Sequence, residues 1–137
     1  MKLLPFTVAL ALMSCASEPT SDAGGVSAVE AELIYTNRLA SVSLPVACGE
    51  FGGVLGFVSD TAVVRDPAAI AQLRLAASEA ERVPASTHEM DARLVALLHG
   101  PGGTDTLCVG GSHSAEVNGV PVRDSALVRL LWAAARP

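Results

Sequence analysis

Residues 115–135 have the sequence AEVNGVPVRDSALVRLLWAAA, which contains a hairpin signal, a capping residue and an apolar helical stripe in that order. Asn118-Gly119 separates two short apolar runs, and this dipeptide accommodates the positive φ angles of a two-residue type I′ turn. Asp124-Ser125 then precedes the apolar stripe, as expected of a helix N-cap. The stretch therefore predicts two antiparallel strands followed by a helix, an arrangement typical of an α+β domain.

A similar pattern occurs 58 residues earlier in the chain. Residues 64–77 (VRDPAAIAQLRLAA) match residues 122–135 (VRDSALVRLLWAAA) at seven of fourteen positions, three of them alanine in an alanine-rich chain. Asp66-Pro67 supplies a cap and a proline suited to the first helical position. Two interpretations are open. The halves are copies of one strand–strand–helix unit, with Cys48 and Cys108 on equivalent strands, or the two stretches only share a strand, a cap and a stripe.

Further strands are predicted on either side of these helices. Their signals are β-branched residues, alternating apolar residues and glycine-rich turns such as Gly100-Pro101-Gly102-Gly103. Pro45 indicates an edge or a bulge. The candidate strands are residues 31–39, 41–48, 104–109 and, as a strand or a short helix, 92–98; two further apolar runs, 54–58 and 62–64, flank a turn candidate at 59–61. We expect a small antiparallel sheet with the two helices on one face.

The first fifteen residues have the layout of a secretory signal. Lys2 precedes an apolar run, residues 3–13, that is shorter than the ~20 residues needed to cross a bilayer. The run ends in Leu12-Met13-Ser14-Cys15, which resembles the lipobox of bacterial lipoproteins. The resemblance implies a diacylglyceryl thioether on Cys15 and cleavage between Ser14 and Cys15. An ordinary cleaved signal is the alternative, because Ser14-Cys15-Ala16 also has the small-x-small form of such a site.

The lipobox resemblance divides the chain into a signal peptide at 1–14, a lipidated cysteine and tether at 15–29, and one domain at 30–137. Residues 16–29 are small and polar and lack the large apolar side chains that offset the entropy of ordering. In cells with two membranes, lipoproteins without aspartate after the cysteine usually reach the outer membrane, and Ala16 holds that position. The resemblance thus implies acyl chains such as palmitate and an outer-membrane anchor facing the periplasm.

The charge balance of the chain argues against a nucleic-acid partner. The net charge is −5, and removal of Lys2 with the signal peptide makes it −6. The remaining positive charges are arginines that form no basic cluster. Because anionic headgroups repel an acidic domain, the lipid rather than the protein surface is expected to hold the domain at the membrane.

Assigning Cys15 to the lipid leaves Cys48 and Cys108 as an even pair in an oxidising compartment. We therefore predict a disulfide between them, which would close a loop of about 60 residues and contribute roughly 4 kcal/mol through the entropy of the unfolded chain. The alternative is a pair of buried free thiols. Neither cysteine has the CxxC or CxxH spacing of a metal site.

The sequence contains two weak candidates for chemistry. In Gly110-Gly111-Ser112-His113-Ser114, hydroxyls flank an imidazole, but neighbours in sequence rarely have the geometry of a nucleophile and its base, and the segment lacks the GxSxG pattern. His88, His99 and His113 have no metal-binding spacing.

We therefore expect a non-enzymatic envelope module, without cofactor or metal, that binds a protein or glycan partner or serves a structural role. Such a module is expected to expose an apolar or arginine-lined patch. Two alternatives are a small hydrolase that uses Ser112 and His113, and a metal or small-ligand carrier that uses the histidines.

Overall fold

A computed structural model describes residues 30–36, 45–55, 58–111 and 114–136. The predicted signal peptide, the tether with Cys15, and the pair Ser112 and His113 lie outside these ranges. The described residues form an α+β fold, and its strands and helices are β1 (Glu30–Tyr35), α1 (Phe51–Leu55), β2 (Asp60–Val64), α2 (Pro67–Glu79), β3 (Glu81–Arg82), β4 (Ala92–Gly100), β5 (Gly103–Gly110), β6 (Ala115–Val117), β7 (Val120–Arg123) and α3 (Ser125–Ala135).

No helix within the described ranges is both long enough and apolar enough to span a bilayer.

One seven-stranded sheet has the strand order β2-β1-β4-β5-β6-β7-β3, and all its neighbouring strands are antiparallel. Its centre is the long hairpin of β4 and β5, whose turn is Pro101-Gly102. Gly103 has a φ of 120°, which a residue with a side chain rarely adopts. The strand predicted at 92–98 and the glycine-rich turn after it are therefore confirmed, and the helical alternative for 92–98 is wrong.

The hairpin and capped helix predicted at 115–135 are also confirmed. Asn118 and Gly119 have φ angles of 50° and 78° and connect β6 to β7, as a type I′ turn requires. The Asn118 side chain accepts a hydrogen bond from the Thr106 amide at 2.8 Å, so the turn is also fixed to β5. Asp124 caps α3 by accepting from the amides of Ala126 and Leu127 at 2.7 and 3.0 Å.

Helices α2 and α3 pack on one face of the sheet, as predicted. The apolar stripe of α2 buries Ile70 and Leu73, whereas α3 buries five residues including Trp132. Every second residue of the strands packs against the two helices, since successive strand side chains point to opposite faces of the sheet. The buried members of this core are Ala31, Leu33, Ile70, Leu73, Leu94, Ala96, Leu98, Leu107, Val109, Ala115, Val122, Leu127, Val128, Leu131, Trp132 and Ala135.

The segment from Val46 to Leu55 packs on the opposite face and forms a second, smaller core, which the sequence did not predict. Phe51 and Leu55, one turn apart on α1, are buried there against Val95 and Cys108. Cys48 lies in a 3-10 turn and is bonded to Cys108 of β5, with Cα atoms 6.0 Å apart. The predicted disulfide is thus present, and it fixes this segment to the centre of the sheet.

One strand prediction and one turn prediction fail in and after this segment. Residues 45–47 have no regular structure and 48–50 form the 3-10 turn, so the strand predicted at 41–48 is wrong over its described part. The apolar run at 54–58 begins in helix α1, and the predicted turn at 59–61 overlaps the start of β2. The physical reason is burial: an apolar segment can lie across a sheet face without joining its hydrogen-bond ladder.

Two antiparallel strands precede a helix twice, as β6-β7-α3 and as β1, β2 and α2, but the 3-10 turn and α1 lie between β1 and β2. Asp66 caps α2 by accepting from the amide of Ala68, as Asp124 caps α3. The expectation that Cys48 and Cys108 occupy equivalent strands is wrong, because Cys48 lies in a turn. The shared pattern therefore extends to the capped helices and the strands beside them but not to the cysteines.

Replacing both Cys48 and Cys108 by alanine is expected to lower the free energy of unfolding by about 4 kcal/mol, because the unfolded chain loses a cross-link across about 60 residues. Urea unfolding of the Cys15→Ala protein and of the triple variant measures the difference. Addition of a reductant should lower the midpoint of the Cys15→Ala protein and leave that of the triple variant unchanged. Equal midpoints for the two proteins without reductant would contradict the prediction.

Candidate functional site

A shallow cavity of about 520 Å³ lies beside the disulfide, on the sheet face opposite α2 and α3. The 3-10 turn at Cys48, strands β5 and β6, and the turn between β6 and β7 enclose it. Its lining residues are Ala47, Cys48, Gly49, Thr106, Cys108, Glu116, Asn118 and Gly119. The cavity therefore exists because the disulfide holds the 3-10 turn against the sheet.

Strand alternation explains which side chains line this cavity. Leu107 and Ala115 are buried in the helix-side core, so their neighbours Thr106, Cys108 and Glu116 point to the opposite face. Cys108 and Glu116 are directly paired across β5 and β6. A carboxylate thus lies next to the disulfide on the floor of the cavity.

Glu116 is paired with His88, a residue 28 positions earlier in the chain. His88 Nε2 lies 3.1 Å from Glu116 Oε1, and the two side chains are 9% and 18% exposed. With the carboxylate ionised, both of its oxygens are acceptors, so the hydrogen on Nε2 is donated to Oε1. The pair therefore anchors the segment before β4 to strand β6 and fixes the orientation of the Glu116 side chain.

His99 belongs to a different region of the same face. Its Nδ1 lies 3.0 Å from Thr104 Oγ1, and its Nε2 lies 4.0 Å from Glu32 Oε2. Glu116 aligns with Val95 through Cys108, and His99 is four residues further along β4, which corresponds to about 13 Å of strand. His88 and His99 consequently do not share a site.

The described residues contain no group of three or more histidine, cysteine or acidic side chains that could hold a metal ion, so the metal-carrier alternative gains no support from them. His113, the third histidine of that alternative, lies outside them.

An ion pair between a buried arginine and a partly exposed aspartate lies at the start of β4. Arg93 is the extra residue of a β-bulge between Ala92 and Leu94, and its side chain is 7% exposed. Its Nη2 donates to Asp91 Oδ2 at 2.6 Å, whereas Nη1 is buried and has no hydrogen-bond partner among the described residues. In the sequence, the signal for this pair is limited to two opposite charges two residues apart.

Asp91 also links two neighbouring segments. Its Oδ1 accepts from the Val46 amide at 3.2 Å, and its backbone oxygen accepts from the Gly111 amide at 3.3 Å. The Ala92 amide in turn donates to the Val46 backbone oxygen at 2.7 Å. The pair of Asp91 and Arg93 therefore supports the segment that carries Cys48.

The segment proposed for the hydrolase alternative is described only at its flanks. The Gly110 amide donates to the Ser114 backbone oxygen at 2.8 Å, and Ser114 Oγ lies 3.9 Å from the Met90 sulfur. A Cβ atom at Gly110 would lie 2.3 Å from Ser114 Oγ, so a side chain there would displace the Ser114 hydroxyl. Ser112 and His113 lie outside the described residues, and the hydrolase alternative stays a prediction.

Comparison with protein-family models, with curated proteins and with solved structures gave no match. The function is therefore argued from the chain's own residues.

Replacing Asp91 by alanine is expected to lower the free energy of unfolding by about 3 kcal/mol, because it leaves the Arg93 guanidinium buried without its charge partner. The variant Asp91→Ala with Arg93→Met should be less destabilised than Asp91→Ala alone, since the uncompensated charge is gone. The free energies of unfolding in urea of both variants, of Arg93→Met and of the parent protein form a double-mutant cycle. If the double variant unfolds no later than Asp91→Ala, the buried charge is not the cause.

Proposed function

We propose that the chain is a lipoprotein of the bacterial cell envelope, anchored through Cys15, whose domain is a non-enzymatic binding module. The observation that carries the proposal is the bond between Cys48 and Cys108. Disulfides persist in exported proteins and are rare in reducing compartments. With those two cysteines paired, Cys15 is the remaining cysteine of the sequence, and it stands where the lipobox resemblance requires a lipidated cysteine.

The proposed anchor places the domain close to the membrane without embedding it. Cleavage after Ser14 would leave residues 16–29 as a spacer, and a flexible spacer of that length has a root-mean-square span of about 20 Å. Two or three acyl chains hold a protein stably, whereas a single chain does not. We place the anchor in the outer membrane, facing the periplasm.

The proposed binding role is supported by the sheet face that α2 and α3 do not cover. The segment from Val46 to Leu55 packs over one part of this face, and Val63 of edge strand β2 is 47% exposed. Val54 and Val58, which precede Val63 in the sequence by nine and five residues, are 43% and 51% exposed. Exposed apolar residues that form a contiguous patch mark protein interaction sites, and we propose such a patch around Val63 on this face. An envelope protein or a glycan is the partner that we propose.

The anchor is tested by metabolic labelling with palmitate in a bacterial host. The full chain is expected to incorporate the label and to sediment with membranes, whereas Cys15→Ala should lose both properties because the thioether cannot form. Met13→Ala, which keeps an apolar or small residue within the tetrapeptide, is the matched control and should behave like the parent. Labelling that persists in Cys15→Ala, or a parent chain that takes up no label, would show that Cys15 is not the anchor.

The binding role is tested by placing a photo-crosslinking amino acid at Val63 or at Leu75. Both side chains are exposed, at 47% and 58%, but Val63 lies on the open sheet face and Leu75 on helix α2. We expect a discrete adduct of the native envelope from Val63 and none from Leu75. Adducts of equal yield from both positions, or none from either, would contradict a binding role for the open face.

A further inference from the structure

We propose that the cavity beside the Cys48–Cys108 disulfide binds a primary ammonium group, with Glu116 as its charged acceptor. This inference rests on the proposed binding role and assigns to it a site and a ligand chemistry. The ammonium group can belong to a free amine or to a lysine side chain of a polypeptide, since both present the same three N–H donors.

The cavity lining offers two side-chain acceptors, a carboxylate and a hydroxyl. Its polar side chains are the Glu116 carboxylate, the Thr106 hydroxyl and the Asn118 amide, and its lining residues include no arginine, lysine or histidine. The Asn118 side chain is already engaged, because its nitrogen donates to Asp105 Oδ1 at 3.2 Å and its oxygen accepts from the Thr106 amide at 2.8 Å. A cationic donor is therefore the group that the lining lacks, and an acidic protein attracts cations to such a cavity.

Glu116 has unused acceptor capacity in a partly buried position. His88 donates to its Oε1, and no described residue donates to its Oε2. An ionised carboxylate offers about four lone-pair sites, so the pairing with His88 leaves most of them free. Because the side chain is only 18% exposed, water compensates its charge less well than at the surface, and a charge-assisted hydrogen bond gains strength there.

The geometry favours an ammonium over a guanidinium group. Arginine binds a carboxylate best through both oxygens in a planar fork, but His88 already holds one oxygen of Glu116. An ammonium group needs only single acceptors arranged around a point. Thr106 is the diagonal neighbour of Glu116, because Glu116 is opposite Cys108 and Thr106 lies two residues from Cys108 on the same face. Diagonal side chains are close enough to contact one small group together.

The cavity rim has space for the chain that carries the amine. Gly49 and Gly119 line it, and a Cβ atom built at either position meets nothing within 4 Å. Gly119 has a φ of 78°, so a side chain there would be strained, whereas Gly49 has no such restriction. A bulky side chain can therefore be introduced at Gly49 to obstruct the cavity without removing the carboxylate.

The mature protein, with the Cys15→Ala substitution to keep it in solution, is titrated with Nα-acetyl-lysine methylamide and with cadaverine while amide NMR shifts are recorded. Either amine should shift the Thr106 and Glu116 amides, and Nα-acetyl-norleucine methylamide, which lacks the charge, should not. Tighter binding of the lysine compound than of cadaverine identifies a polypeptide as the source of the amine, and the reverse identifies a free amine.

Two variants test the assignment to Glu116. Glu116→Gln keeps an acceptor for His88 and should weaken amine binding about tenfold, the loss expected when a charge-assisted bond becomes a neutral one. Gly49→Leu should weaken binding through obstruction while Glu116 remains. Glu50→Gln, which removes an exposed carboxylate beside the cavity, is the matched control and should bind like the parent.

Parent protein that binds neither amine, norleucine binding equal to lysine binding, or a Glu116→Gln variant with parental affinity would each overturn this assignment. The palmitate and crosslinking experiments do not depend on the cavity, so their outcome separates failure of this inference from failure of the proposed function.

Discussion

The covalent bond between Cys48 and Cys108 is the constraint on which the open side of the sheet depends. Helices α2 and α3 bury the opposite face through many apolar contacts, whereas the second core contains six buried residues. Burial of so few side chains contributes little free energy compared with the conformational entropy lost when the segment from Val46 to Leu55 is ordered. A cross-link to the central strand β5 removes much of that entropy from the unfolded state, and α1 can then pack despite Gly52 and Gly53.

The same constraint determines where polar chemistry occurs. Thr106 and Glu116 point to the open face because Leu107 and Ala115 are required by the helix-side core. The disulfide then places the turn at Cys48 above them and converts a flat strand surface into a cavity. His88 orients the Glu116 side chain through a hydrogen bond. Asp91 accepts from the Val46 amide and so positions the start of the segment that carries Cys48. Fold stability and the candidate site therefore share the same few contacts.

Signals within a few residues of sequence were sufficient to predict the hairpin turn and the two helix caps, because these features depend on local backbone angles and local hydrogen bonds. Asn118-Gly119 allows positive φ, and Asp66 and Asp124 offer acceptors to helix amides. The disulfide was predictable only after the lipobox resemblance had set Cys15 aside and left Cys48 and Cys108 as a pair. The failures lie where tertiary burial dominates. Phe51 and Leu55 form a helix through two glycines because the sheet face buries both. Val46 continues the alternating apolar pattern of residues 41–48 without being in a strand. Nothing local distinguishes such a segment from an edge strand.

The candidate site was not predictable for a related reason. His88 and Glu116 are 28 residues apart, belong to no motif and meet only because strand order places β6 next to β5 and the Ala85–Thr87 turn close to it. Arg93 is buried beside Asp91 because a bulge shifts the alternation of β4, and a bulge has no reliable signal in sequence. Of these two paired carboxylates, Glu116 lines the cavity beside the disulfide, whereas the Asp91 carboxylate accepts from the Val46 amide and from Arg93. Because Glu116 lines a cavity and the Asp91 carboxylate is already hydrogen-bonded, we propose a binding role for Glu116 and a structural role for Asp91.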